Sequence, residues 1–231
     1  SFGEFTMWRG RRDLTHIWTT PATQKLIGTD GTTFAPFLED VPELTAFVEA
    51  LYRPVILQYK GDAKYKGDLP VRVYSPRSDQ FNDAQRTPHN AGFRIFQQGF
   101  QPRPPVQAIP DKYILGAISK QHYLDCAGPY MNVSIGAPDA EKDETVLQFE
   151  PNTATVVSVR KRSLLSVMLR DLPYKDIYNF PQHLGESGVL KQTWLPYVAE
   201  TEQTDLPDHL REKLMMEVVW PKRLAKPVGG A

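Results

Sequence analysis

Glu144–Asp171 reads ETVLQFE, then PNT, then ATVVSVRKRSLLSVMLRD, and this stretch decides the fold. Pro151-Asn152 is a turn signal between two β-rich runs, so the stretch predicts a hairpin with one long arm. Along that arm Thr155, Val157, Val159, Lys161, Ser163, Leu165, Val167 and Leu169 form one row, and Val156, Ser158, Arg160, Arg162, Leu164, Ser166, Met168 and Arg170 the other. Strand side chains alternate faces, so the odd row is apolar except at Lys161 and Ser163, while the even row is mixed. At roughly 3.3 Å per residue such an arm reaches about 50 Å, well beyond an ordinary strand. It is expected to cross one large sheet or barrel from end to end, with a bend or a change of environment at the polar break.

The totals fit a mainly β protein. The chain has 231 residues, 41% hydrophobic and 23% charged, with no net charge. Nothing global therefore recommends nucleic acid or an anionic membrane surface as a partner. Twenty prolines and many β-branched residues argue against a helical bundle. A lone Cys126 excludes an internal disulfide, and no apolar run is long enough to span a bilayer. A chain that starts at Ser1, inside what reads as a strand, suggests processing or excision from something longer. No internal repeat or linker is visible, so residues 1–231 are expected to form a single domain.

Working outward, Phe2–Trp8 and Leu14–Trp18 are strand candidates around the charged turn Arg9–Asp13, which reads as a solvated loop. Ile27–Phe37 is a Gly- and Thr-rich loop without the lysine and helix that phosphate binding needs. Asp40, Pro42 and Glu43 resemble a helix start, and Leu44, Phe47, Val48 and Leu51 follow at helical spacing, predicting a helix over Val41–Tyr52. Val55–Tyr59 and Val71–Tyr74 are expected to pair across a polar loop, Lys60–Asp68. Ser75–Pro110, rich in proline and polar residues, reads as a long surface excursion. Tyr113–Ile118, Tyr130–Ile135 and Gln192–Val198 complete the strands. Asp205 is placed to cap a final helix that Pro221 stops.

Reactive chemistry is not indicated. His16, His89, His122, His183 and His209 are scattered, and His122 with Cys126 is one pair without the second that zinc needs. No nucleophile elbow or metalloprotease motif occurs, so the chain is not expected to be an enzyme or to carry a metal or cofactor. Arg160-Lys161-Arg162 divides its charges between two strand faces, which suits solvation better than nucleic acid. Asn132-Val133-Ser134 is the one glycosylation sequon.

Four stretches, in order, are similar to the class B scavenger receptors, a family with platelet, lysosomal and sensory-neuron members. Phe5-Thr-Met-Trp-Arg-Gly10 resembles the family's Phe-Thr-x-Tyr-Thr-Gly strand. Ile27–Phe37 resembles its Asn-Gly-Thr-Asp-Gly-x-x-Phe-x-Pro loop, which precedes a helix and an Arg-x-Val/Ile strand like Arg53-Pro-Val55. Asn90-Ala-Gly-Phe93 matches a segment of the lysosomal member, and Gly128–Ser134 with Phe149–Thr153 is similar to two further stretches. Departures accompany the match. Cys126 alone stands where the family usually has three disulfides, with Tyr52, Gly92 and Arg94 near other cysteine positions, and Ile27 replaces a glycosylated asparagine.

The resemblance implies the C-terminal half of a receptor ectodomain, lacking a helical head and both membrane helices. It also implies a large antiparallel β-barrel-like fold with short helices and an internal tunnel. Through it fatty acids, sterols or phospholipids would pass to the membrane at the cell surface or in endosomes and lysosomes. The lining candidates are Phe149, Val157, Val159, Leu165 and Val167. Plain core packing is the simpler reading of that row, since any barrel needs one. A protein-binding, adhesion or sorting receptor without lipid transport is the alternative function, and a lipid-ester hydrolase a more distant one.

Overall fold

The long arm forms, and the sheet is assembled on it. A computed structural model describes residues 2–82, 88–93, 99, 101–102, 115–127, 135–169 and 193–225. Eight strands make one antiparallel sheet: β1 (Glu43–Val48), β2 (Arg53–Tyr65), β3 (Leu69–Pro76), β4 (Gln101–Pro102), β5 (Leu115–Ser119), β6 (Val146–Phe149), β7 (Val156–Leu169) and β8 (Thr193–Asp205). The order is β1-β2-β3-β6-β7-β5-β4, with β8 also paired to β7. Val146–Phe149 and Leu115–Ser119 occupy successive lengths of one edge of β7, while Thr193–Asp205 follows the other edge throughout. β7 thus has three direct partners, β5, β6 and β8, among the described strands.

The expected barrel is not closed among the described residues. Closure requires the two end strands to share hydrogen bonds, and the path ends at β1 and β4 without such pairing. At the polar break of β7 the pairing with β8 runs on without a register shift. Lys161 pairs with Glu202 at 3.0 Å and the Ser163 hydroxyl donates to Glu200 at 3.1 Å, so both find cross-strand partners. The register shifts instead at two other places, beside Val157 and at Tyr197, where one residue on one strand has no opposite number.

Several local expectations are corrected. Residues 41–52 hold β1 and a 3-10 turn, Glu49–Leu51, and no helix for Asp40 to cap. Leu44, Phe47, Val48 and Leu51 fit a helical spacing only because the segment is buried on both sides. Leu44 and Ala46 face one cluster and Phe47 another. β2 takes one edge, and Gly28-Thr29 the other, through Phe47 N–H to Thr29 O at 2.7 Å and Thr29 N–H to Thr45 O at 3.1 Å. A Cβ on Gly28 would lie 2.9 Å from the β1 backbone, so that approach needs glycine. Phe2–Trp8 and Leu14–Trp18 form isolated bridges and turns, not strands. The Lys60–Asp68 loop shrinks to Lys66-Gly67-Asp68, because β2 runs on to Tyr65 and β3 starts at Leu69. β8 is longer than expected, ending at Asp205. Residues 130–134 and 113–114 of two expected strands lie outside the described residues.

The final helix is also different in kind. α1 is the short turn Ala140–Asp143, capped by the Asp139 carboxylate. α2 (Asp208–Leu214) starts after Pro207, passes through a π turn at Met215–Val219, and continues as α3 (Trp220–Ala225). Asp205 stays on β8, where its carboxylate accepts from Ser158 and Gln203. Pro221 therefore does not stop the helix. A proline lacks the N–H and crowds the carbonyl four residues back, and the wide turn before it, with Trp220 N–H bonded to Met215 O, relieves that conflict.

Both faces of the sheet carry packed apolar clusters. On one, Leu44, Ala46, Val55, Leu57, Tyr74, Leu147 and Phe149 pack beneath Phe34 and Leu38. On the other lie three smaller groups. Trp8, Leu14, Trp18, Phe47 and Phe93 gather at β1. Tyr65, Leu69, Val71 and Val157 lie under the terminal helix, and Ala117, Leu164 and Trp194 under Tyr123.

Candidate functional site

Most stretches that resemble the family act as folding devices. Arg53 is 2% exposed, stacked 3.8 Å over the Phe93 ring, and its Nη2 donates to Asn90 Oδ1 at 3.2 Å. Burial pulls its guanidinium down to about 9 against the opposing pull of Asp79. Asn90 in turn donates to the carbonyls of Asp79 and Asn82. Gly92 between them admits Thr20 and Thr23, whose side chains would lie within 2.5 Å of any Cβ. Glu150 is fully buried, yet its carboxylate accepts from Asn152 N–H at 3.0 Å, Thr153 N–H at 2.7 Å and the Thr153 hydroxyl at 2.8 Å. It holds the hairpin turn. None of these groups is left facing a ligand.

The titratable groups beside β5 are similarly occupied. Lys120, 7% exposed, reaches Asp125 at 2.6 Å and also Glu144. Burial works against its charge, but the two carboxylates outweigh that and raise its pKa. His122 Nδ1 lies 2.8 Å from Asp143 Oδ1, and Asp143 Oδ2 accepts from Asp139 N–H. Burial opposes the Asp143 charge, yet the Asp139 amide and His122 hold its pKa below the ordinary value. Of the His122 and Cys126 pair, His122 is engaged by Asp143 and the Cys126 sulfur lies 3.7 Å from the Leu124 carbonyl oxygen. Burial, then the nearby Asp125 charge, pushes the thiol up to about 12. Its sulfur would lie 2.3 Å from a Cβ at residue 99, which is why Gly99 stands there. Among the described residues no cluster of His, Cys, Asp and Glu could hold a metal ion.

What remains is the odd row of β7. Phe149 is fully buried, with its ring 5.3 Å from Phe34 and 5.7 Å from Tyr74. Val157, at the register shift, turns to the opposite side and packs with Met215 and Val219 at 1% exposure. Val159 returns to the first face, opposite Leu147, and packs against the Phe149 cluster. Farther along, Leu165 pairs with Ile118 and Val198, and Val167 with Gly116 and Leu195. Paired residues share a face, so Ile118, Leu165, Val167, Leu195 and Val198 make one apolar wall. Val198 is 39% exposed and Val167 and Leu195 are partly buried, whereas Leu165 is buried and Ile118 packs against the Phe149 cluster.

The structure thus divides the predicted set: Phe149 and Val157 stand in two packed clusters, and Val159, Leu165 and Val167 run along one face. Ile118, Leu195 and Val198 were absent from that set. Ile118 faces as the β5–β7 pairing dictates, and Leu195 and Val198 depend on a β7–β8 register that the extra residue Tyr197 resets. Asn132 lies outside the described residues. A separate groove of ≈ 420 Å³ between Glu39, Asp62, Arg72 and Pro151 has mixed charge and an open mouth.

Comparison with known proteins gives this arrangement a context. A CD36 family model matches residues 1–229. Sensory neuron membrane protein 1 of Aedes aegypti is 29% identical over 184 residues, covering 74% of this chain and 32% of its own. Sensory neuron membrane protein 1 of Apis mellifera is 27% identical over 202 residues, covering 81% and 36%. That of Pediculus humanus subsp. corporis is 23% identical over 216 residues, covering 93% and 37%. The chain spans about a third of the length of these curated relatives. It belongs to the CD36 family, the class B scavenger receptors.

Proposed function

We propose that this chain is part of a membrane receptor ectodomain that binds fatty acids, sterols or related lipids and conducts them through an apolar tunnel toward the bilayer. Leu165 and Val167 contribute to its lining with Ile118, Leu195 and Val198, while Phe149, Val157 and Val159, named with them as candidates, pack around the closed half of the strand. The receptor stands on the extracellular or lumenal side of the cell-surface or endosomal-lysosomal membrane. Asn132 is its glycan acceptor, and its anchoring helices lie outside this chain. No described helix is long and apolar enough to cross a membrane.

One observation carries the reading: an apolar wall that the strand register builds along β7, joined to the Phe149 cluster through Ile118 and Val159 and left partly open at Val198. An acyl chain needs such a surface and no reactive group. Each buried methylene contributes about 0.8 kcal/mol, so sixteen carbons supply on the order of 10 kcal/mol before ordering costs. Family membership favours a receptor over an enzyme. Mass spectrometry of a denaturing extract from the purified full-length ectodomain tests the proposal. Recovery of a stoichiometric fatty acid or sterol is expected. A lipid-free extract from protein that still binds a protein partner would replace this reading with the adhesion or sorting one.

A further inference from the structure

We propose that Glu200 selects the polar end of the lipid, so that the wall takes long-chain lipids ending in a hydroxyl in preference to free fatty acids. The inference rests on reading the odd face of β7 as a lipid wall and concerns the place where that wall turns polar. No register shift interrupts the pairing of β7 with β8 from Ser158↔Asp205 to Leu165↔Val198. Residues of one parity therefore share a face, and Lys161, Ser163 and Leu165 stand beside Glu202, Glu200 and Val198. Along this row Leu165 is buried, Ser163 half-buried and Lys161 exposed, and Val198 and Glu200 are both exposed. Two residues, about 7 Å of strand, separate the open end of the apolar wall from the Ser163–Glu200 pair.

This polar border carries more negative charge than positive. Lys161 Nζ lies 3.0 Å from Glu202 Oε2 and offsets that carboxylate. Among the described residues Glu200 has no cation of its own: its Oε2 accepts from the Ser163 hydroxyl at 3.1 Å, and Oε1 is left open. Arg160 and Arg162, the neighbouring cations of β7, project from the other face, where they donate to the Glu141 carbonyl and to Gln121 Oε1. A free carboxylate at the end of a chain lying along the wall meets the Glu200 carboxylate and is repelled. A hydroxyl in the same place donates to Oε1 in a charge-assisted hydrogen bond. Because Glu200 is exposed, water and salt screen both effects, and the discrimination is about fivefold at low ionic strength. Fatty acids remain ligands of the wall and are held less tightly.

The test is equilibrium binding of radiolabelled hexadecanol and palmitate, equal in chain length, to the purified full-length ectodomain. The parent should hold hexadecanol about fivefold more tightly, and the gap should narrow as salt rises. Glu200→Gln keeps an acceptor for Ser163 and should bring the two affinities within about twofold, chiefly by strengthening palmitate. Glu200→Lys should reverse the order. Glu200→Gln should melt like the parent, since the side chain is exposed. Equal affinities in the parent, or tighter palmitate, would overturn the assignment while leaving the conduit in place. So would a preference for hexadecanol that both variants keep. Saturable binding of neither lipid would remove the conduit reading, and this inference with it.

Discussion

Between Val156 and Val159 the long strand is closed in: Val159 and its partner Leu147 lie with Phe149 and Phe34 on one side, and Val157 lies with Met215 and Val219 on the other. Between Leu165 and Val167 the even-numbered face is packed in this way, where Leu164 and Ser166 meet Tyr123 and Trp194. On the odd face Leu165 is buried beside Ile118, while Val167 is only partly covered. The odd face there ends in Val198, 39% exposed. One strand with one residue pattern thus serves as core over its first turns of alternation and as a partly open wall over its last. The difference comes from what the register places opposite it. Apolar content alone does not separate the two.

The largest effect should come from the closed half. Phe149→Ala removes a ring that touches Phe34 and Tyr74 and should cost about 3–5 kcal/mol, read as a lowered urea midpoint. A loss near that of a surface substitution would erase the distinction between the halves. Val167→Asn probes the open half. It should cost about 1 kcal/mol of stability or less, because the side chain is only partly buried, while weakening fatty-acid binding about tenfold. Equal losses of binding and stability would make both halves core.

How much of this was legible in the sequence follows from the same strand. Period-two alternation places a strand over Thr155–Arg170, and the fold has one over Val156–Leu169. Which residues share a face was not legible past Val157. The register shift there puts Val157 and Val159 on opposite sides, and the extra Tyr197 does the same on β8. β1 was misread for a related reason. Leu44 and Phe47 are buried against different clusters, so their spacing mimics one face of a helix. The four family-like stretches were legible as a resemblance. That Arg53 and Asn90, 37 positions apart, hydrogen-bond each other is visible only once β2 is placed.

Smaller effects concern the packed even face behind the open half. The Asp143 carboxyl has a lowered pKa in the fold, so the unfolded chain takes up the proton first. Its contribution is present above the unfolded value of about 3.9 and fades as pH falls through the folded value. Asp143→Asn should flatten that acid limb in thermal melts, leaving stability near pH 7 as the reference. The same slope in both proteins would detach His122 and Asp143 from the support of the wall. The smallest expected effect is at Cys126. With its thiol pushed up to about 12, it should resist iodoacetamide at pH 8 until the chain unfolds.

The central claim is that an acyl chain lies along the odd face of β7 beyond Ser163. A fatty acid bearing a diazirine near its tail, photolysed in the purified ectodomain and mapped by peptide mass spectrometry, tests this directly. The account predicts adducts on Leu165, Val167 and the neighbouring Ile118 and Leu195, lost on competition with unlabelled fatty acid. Competed adducts confined to residues elsewhere in the chain, with none on these four, would contradict it.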